Sequence, residues 1–99
     1  MSTLSTHVLD STLGVPAVGL AVRLDDDVEA VTDDDGRIRF DGEVAAGTHR
    51  LTFATAAYFA DRPHFHPEVS VAFEVDPERE HHHVALLLGP YSYTTYRGS

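Results

Sequence analysis

The chain has 99 residues, which suits one domain spanning 1–99, and its 42% apolar and 23% charged residues are ordinary for a globular protein. It has no cysteine, which excludes disulfides and thiolate metal sites and favours a reducing, cytoplasmic location. A net charge of -9 argues against nucleic-acid binding. No apolar run approaches the ~20 residues of a membrane span, and neither end resembles a secretory or peroxisomal signal.

Alternation of apolar and polar residues predicts strands along most of the chain. The clearest runs are 20–25, 49–54 and 69–75. Turn residues separate these runs from further predicted strands at 5–10, 28–32, 37–41, 81–88 and 91–97. Seven or eight short strands at this spacing predict an all-β sandwich of two antiparallel sheets.

One segment departs from the alternation. Residues 55–61 are rich in alanine, and they precede Pro63. The pattern predicts one short helix near 55–61, with Thr55 as its capping residue.

The three consecutive histidines at 81–83 raise the question of a metal site. In a strand, His81 and His83 point to one face and His82 to the other. Zinc would need a further ligand, which His7 could supply. Solvated or hydrogen-bonded histidines are the more ordinary interpretation, and we expect no bound metal.

The run Asp33–Asp34–Asp35–Gly36 is only superficially similar to a calcium-binding loop. Such a loop would have an aspartate where Val31 stands. A tight turn that needs Gly36 at positive φ is the simpler interpretation. Fingerprints for nucleotide binding and for a serine nucleophile are also missing from the sequence.

Three polar residues are predicted on strand faces that point away from the core. Ile38 and Phe40 should face inward, which turns Arg37 outward, and the same reasoning turns His83 and His7 outward. These outer faces are partly apolar, as when a partner subunit covers them. The alternative is that each residue is simply exposed and that they share no site.

The sequence resembles the transthyretin superfamily over nearly its whole length. The stretch 7–22, HVLDSTLGVPAVGLAV, is similar to the family's N-terminal signature, and TDDDGRI at 32–38 is similar to its Thr-Asp-x-Asp-Gly-Arg turn. The end, HVALLLGPYSYTTYRGS, is similar to its C-terminal strand pair. The resemblance implies a transthyretin-like (prealbumin-like) sandwich.

Two features place the resemblance with the 5-hydroxyisourate hydrolases rather than with the hormone carriers. These enzymes have histidine at the first position of the signature, as at His7, and they finish on Tyr-Arg-Gly-Ser. Residue by residue, the resemblance implies a site formed by His7, Arg37, His83, Tyr96, Arg97, Gly98 and Ser99. Within this set, His7, Arg37, His83 and Ser99 are the expected catalytic residues, and His7, Arg37 and the last four residues are expected to bind substrate. Departures at His82, Ala85 and Gly89 lie beside the site.

The implied reaction hydrolyses 5-hydroxyisourate to 2-oxo-4-hydroxy-4-carboxy-5-ureidoimidazoline in urate degradation, and it needs no cofactor. We expect His7 to deprotonate water and His83 to bind substrate, although these two roles can be exchanged. Arg37 would hold substrate oxygens and keep a nearby imidazole neutral. Ser99 would bring a hydroxyl and a carboxylate.

The resemblance also implies an assembly. Its members form a homotetramer, a dimer of dimers, with sites between subunits that take a small purine-derived substrate. The alternative function is a transthyretin-like carrier that binds a small ligand without catalysis. We expect neither a nucleic acid nor a membrane as partner.

Overall fold

The computed structural model describes residues 2–98, which form nine strands and one short helix. The elements are β1 Thr3–Asp10, β2 Val15–Pro16, β3 Ala21–Leu24, β4 Val28–Val31, β5 Arg37–Arg39, β6 Gly47–Phe53, α1 Thr55–Phe59, β7 Val69–Val75, β8 His81–Leu88 and β9 Tyr93–Gly98. Eight strands overlap the predicted ones. The additional strand, β2, has only two residues and was too short to show any alternation.

The strands form two sheets, which confirms the predicted sandwich. The larger sheet has the order β2-β1-β8-β9, with β5 also paired to β1, and the smaller has the order β4-β3-β6-β7. The larger sheet is mixed rather than wholly antiparallel, because β1 and β8 run parallel. These two strands are far apart in the sequence, so no hairpin turn fixes their relative direction.

The core lies between the two sheets and follows from the alternation. In β1, residues at even positions are fully buried and those at odd positions are partly exposed. Eight large side chains with almost no exposure come from both sheets and from the residue before β3: Leu4, Val8, Leu20, Val22, Leu51, Phe53, Leu86 and Leu88. Burying each such side chain contributes about 1.5–3 kcal/mol, so this core supplies most of the favourable free energy of folding.

Helix α1 forms where expected, but Thr55 does not cap it. Thr55 is the first helical residue, and Ala54 precedes it without a side-chain cap. The Thr55 hydroxyl instead donates a hydrogen bond of 2.7 Å to the carbonyl of His66. The capping prediction was therefore wrong, because the loop after the helix folds back and competes for this hydroxyl.

A buried carboxylate joins the helical region to the end of β1. Asp10 has no exposed surface. It accepts hydrogen bonds from the Tyr58 hydroxyl at 2.7 Å, from Arg62 at 3.0 Å and from two backbone N–H groups. Burial opposes ionisation of Asp10, but these donors outweigh it and lower its pKa.

The turn between β4 and β5 fixes where β5 begins. Gly36 has φ of 74°, as predicted, and a Cβ there would lie 2.5 Å from the carbonyl oxygen of Val8. Asp33 accepts a hydrogen bond of 2.9 Å from the Arg37 backbone. Only glycine suits this close approach to β1, and the turn thereby places Arg37 beside that strand.

Candidate active site

Adjacent strands of the larger sheet bring three predicted residues onto one outer face. Across β1 and β5, His7 is directly opposite Arg37. Across β1 and β8, Ser5 is beside His83 and His7 is beside Ala85. Because side chains that are opposite each other in neighbouring strands share a face, Arg37, His7 and His83 all project from the outer side of this sheet.

The two imidazoles are close enough to act on one small molecule. The ring centroids of His7 and His83 are 6.4 Å apart, and the rings are tilted by 41°. Both side chains are partly buried, whereas Arg37 is exposed at the edge of the face. A cation therefore flanks a pair of imidazole groups on this face.

His83 is held in its neutral form. Burial lowers its pKa below the ordinary value, and the positive charge of Arg37 lowers it further, as do the nearby His7 and His81. These causes all disfavour the imidazolium. The side chain is therefore available as a proton acceptor at neutral pH.

Gly98 packs directly against the ring of His83. The two residues are opposite each other in the β8–β9 pair. A Cβ on Gly98 would lie 3.2 Å from Cγ of His83 and still closer to Cδ2. Since these distances are far inside ordinary carbon contact, the absence of a side chain at position 98 lets the His83 ring occupy its place.

The other predicted residues of the C-terminal segment are not all on this face. Tyr96 is opposite Ala85, so it lies on the outer face with the histidines, and 54% of its surface is exposed. Arg97 is opposite Val84 and therefore points to the other side of the sheet. There it lines a cleft of about 290 Å³ near β7. Ser99 lies outside the described residues.

The hydrogen-bond partners of His83 could not be predicted from the sequence. Its Nδ1 is 2.6 Å from the hydroxyl of Ser5, which is also 2.8 Å from Nε2 of His81. Nδ1 of His81 is 2.6 Å from the Thr3 hydroxyl. These hydrogen bonds depend on the parallel register of β1 and β8, for which the sequence carries no local signal.

His82 faces the core, as its neighbours' alternation requires. It is 4% exposed, and its Nε2 accepts a hydrogen bond of 3.0 Å from the backbone of Asp76. Burial lowers its pKa, with a further contribution from Arg79. His82 therefore belongs to the packing beneath the outer face and not to the site.

The histidines do not assemble a recognisable metal centre. Among residues 2–98, no three potential metal-binding side chains come together. Within the same range, no helix is long and apolar enough to span a bilayer. The outer face carries imidazole and guanidinium groups, which suit acid–base chemistry on a polar organic molecule.

Comparison with known proteins identifies the family. The model of the HIUase/Transthyretin family matches residues 4–98. A protein from Mus musculus named 5-hydroxyisourate hydrolase is 41% identical over 114 aligned positions, covering 99% of this chain and 96% of that protein.

Two solved structures extend the comparison. The 5-hydroxyisourate hydrolase of Klebsiella pneumoniae superposes with a TM-score of 0.89 and 38% identity, covering 100% of this chain and 94% of the other. Sea bream transthyretin in complex with thyroxine superposes with a TM-score of 0.81 and 32% identity, covering 96% and 93%. From the matched range and these similarities, we conclude that the chain belongs to the HIUase/Transthyretin family.

Proposed function

We propose that this protein hydrolyses 5-hydroxyisourate to 2-oxo-4-hydroxy-4-carboxy-5-ureidoimidazoline, a step of urate degradation. The observation that carries the proposal is the meeting of His7, Arg37 and His83 on one face, with the two imidazole centroids 6.4 Å apart. Curated relatives with this enzyme name are about 40% identical over nearly the full chain.

The reaction needs a group that takes a proton and later returns it. A water molecule adds to a ring carbonyl of the substrate as one imidazole removes its proton. The ring C–N bond then breaks, and the proton passes to the departing nitrogen. The carbonyl carbon ends as a carboxyl group, and the second imidazole hydrogen-bonds to the substrate. General base assistance of this kind contributes about 10²–10⁴ in rate.

Arg37 and the C-terminal segment complete the proposed site. The guanidinium of Arg37 stabilises negative charge that develops on the carbonyl oxygen, and its planar donors suit a flat anion. Tyr96 supplies an exposed aromatic surface on the same face for the substrate ring. We assign Gly98 and Ser99 to the site, Gly98 because it packs on His83 and Ser99 from the family resemblance. Arg97 is proposed as a substrate-binding residue from the family resemblance alone, because within one chain it points to the other side of the sheet.

We further propose that the site is completed in a homotetramer, a dimer of dimers, with the outer face at a subunit interface. Supporting this, Leu9 and Leu87 share the face with the site and Tyr96 is largely exposed on it. A single chain leaves such apolar area uncovered, and association would remove water from around the substrate. Sedimentation equilibrium tests the assembly, because a monomer at assay concentrations would contradict it.

The alternative, a carrier that binds a small ligand without turnover, is not favoured. The carrier function is supported by the structural similarity to sea bream transthyretin in complex with thyroxine. That protein, however, is less identical in sequence to this chain than the Klebsiella pneumoniae hydrolase is. The ultraviolet decay of freshly generated 5-hydroxyisourate, with and without catalytic amounts of protein, separates the two functions. Faster decay that His7→Ala, Arg37→Ala and His83→Ala each abolish supports the hydrolase. Stoichiometric binding with unchanged decay would contradict it.

A further inference from the structure

A chain of hydrogen bonds runs along the β1–β8 border and ends on His83. It starts at the carbonyl of Glu80, which is 3.2 Å from the Thr3 hydroxyl, and continues through His81 and Ser5. Its last contact joins Ser5 to Nδ1 of His83 at 2.6 Å. Each contact is within hydrogen-bond distance, so each needs one donor and one acceptor.

The carbonyl group at the start gives the chain a direction. A carbonyl oxygen only accepts, so the Thr3 hydroxyl donates its single proton to Glu80. The same hydroxyl then accepts from Nδ1–H of His81 at 2.6 Å. With the opposite direction, the Thr3 oxygen and the Glu80 carbonyl would face each other as two acceptors. Only the first arrangement satisfies both contacts of Thr3.

The direction of donation at Thr3 fixes the direction of the remaining hydrogen bonds as far as His83. A neutral His81 that carries its proton on Nδ1 has a lone pair on Nε2, so it accepts from the Ser5 hydroxyl at 2.8 Å. The Ser5 oxygen in turn accepts from Nδ1–H of His83 at 2.6 Å. The second nitrogen of His83, Nε2, is then unprotonated.

From this geometry we infer that Thr3, His81 and Ser5 are positioning residues that hold His83 with its proton on Nδ1, which makes Nε2 of His83 the nitrogen that takes a proton from water. The inference rests on the proposed hydrolase function and refines it. It reverses the roles expected from the sequence, where His7 was the base, and leaves His7 to bind the substrate. An orienting hydrogen bond on one imidazole nitrogen is the usual means of fixing the reactive state of the other.

The surroundings of His83 agree with a neutral base. Among residues 2–98, the charged and titratable groups on its face of the sheet are His81 on its own strand, His7 on β1, Tyr96 on β9, and Arg37 and Arg39 on β5. Burial lowers the pKa of His83, and the charges of Arg37, His7 and His81 lower it further. A proton on His83 is therefore disfavoured before the reaction and readily passed on after it.

Nuclear magnetic resonance of the wild-type protein tests the tautomer without substrate. With ¹⁵N-labelled histidine at pH 8, long-range proton–nitrogen correlations distinguish protonated from unprotonated ring nitrogens, and the His83→Gln spectrum assigns the signals. We expect Nδ1 of His83 to be protonated and Nε2 to be unprotonated. A proton on Nε2 would overturn the inference, even if the protein hydrolyses 5-hydroxyisourate.

Steady-state kinetics test whether this chain of hydrogen bonds contributes to kcat. We expect Ser5→Ala to lower kcat about 100-fold with KM changed less than about threefold, since catalysis by a positioned base contributes 10²–10⁴. Ser5→Thr keeps a hydroxyl and should restore at least a tenth of the wild-type rate. The matched control is Ser70→Ala on the other sheet, which removes only an exposed hydrogen bond from Arg50 and should leave kcat unchanged.

Three outcomes are decisive. Wild-type turnover together with loss in Ser5→Ala and rescue in Ser5→Thr supports the inference. Equal kcat for Ser5→Ala and wild type overturns it, while the proposed function stands. If the wild-type protein does not accelerate substrate decay at all, the proposed function fails. The catalytic role inferred here fails with it, and the nuclear magnetic resonance result then describes a structural tautomer only.

Discussion

Replacing Gly98 with alanine should separate catalysis from stability. Gly98 is half-buried at the end of β9 and is opposite His83. Its backbone is not among those at positive φ, so alanine introduces no backbone strain. Among the described residues, the atoms nearest to the added methyl group all belong to His83, so the expected cost comes from its contact with that side chain.

The size of the effect follows from this contact. The methyl carbon would be 3.2 Å from Cγ of His83 and closer to Cδ2, whereas carbon atoms prefer about 3.5–4.0 Å. Relieving the overlap requires a displacement on the order of 1 Å, by the ring or by the end of β9. A misplacement of that size can lower the rate about 10²-fold. Because β9 is an edge strand and the ring can tilt outward, we expect the free energy of unfolding to change by less than about 1 kcal/mol.

The assay compares two glycine variants by substrate decay and by thermal unfolding. Gly98→Ala should lose about 100-fold in kcat/KM and shift Tm by no more than about 4–8 °C. The matched control is Gly42→Ala, which has open space around its Cβ but a φ of 74°, so it should lose about 1–2 kcal/mol of stability and keep its activity below Tm. Wild-type activity in Gly98→Ala would refute the reasoning, because the His83 ring would then not need this space.

Three further predictions use other contacts. Arg37→Gln should raise the pKa of His83 by removing a nearby cation, so the acid limb of the kcat/KM profile should move to higher pH; an unmoved limb would contradict this. His82→Phe should gain stability relative to wild type as pH falls from 7.5 to 5, measured by Tm. The pKa of His82 is lowered on folding, so the unfolded wild-type chain takes up an extra proton below about pH 6.5. A difference in Tm between the two proteins that does not change with pH would contradict the effect of burial on the pKa of His82. Asp10→Ala should lose about 2 kcal/mol in urea unfolding, since it leaves the partly buried donors of Tyr58 and Arg62 unpaired, and a loss under 1 kcal/mol would show that water replaces the carboxylate.

The positions of most strands along the chain, and the faces to which their side chains point, were available from the sequence. Alternation placed Ile38 and Phe40 inward and Arg37 outward, and the structure confirms these burial assignments. It also placed His83 on the face opposite Val84. This information is local, because the side-chain period of a strand is two whatever its partner.

The local information had limits even within one element. Thr55 was predicted to cap the helix from its position alone, yet its hydroxyl binds the carbonyl of His66, which a later loop brings near. The two-residue strand β2 exists only because β1 lies beside it. In both cases a contact between distant parts of the chain decided the local structure.

The sequence by itself determined the alternating faces, the turn at Gly36 and, through its motifs, the family and the residues from which a site is expected. Only the tertiary structure decided that β1 and β8 run parallel, with Ser5 beside His83 and His7 beside Ala85. It also decided that Arg97 points away from His7. The physical reason is that register and direction between strands far apart in the sequence depend on how the whole core packs, and no residue pattern within one strand specifies its neighbour.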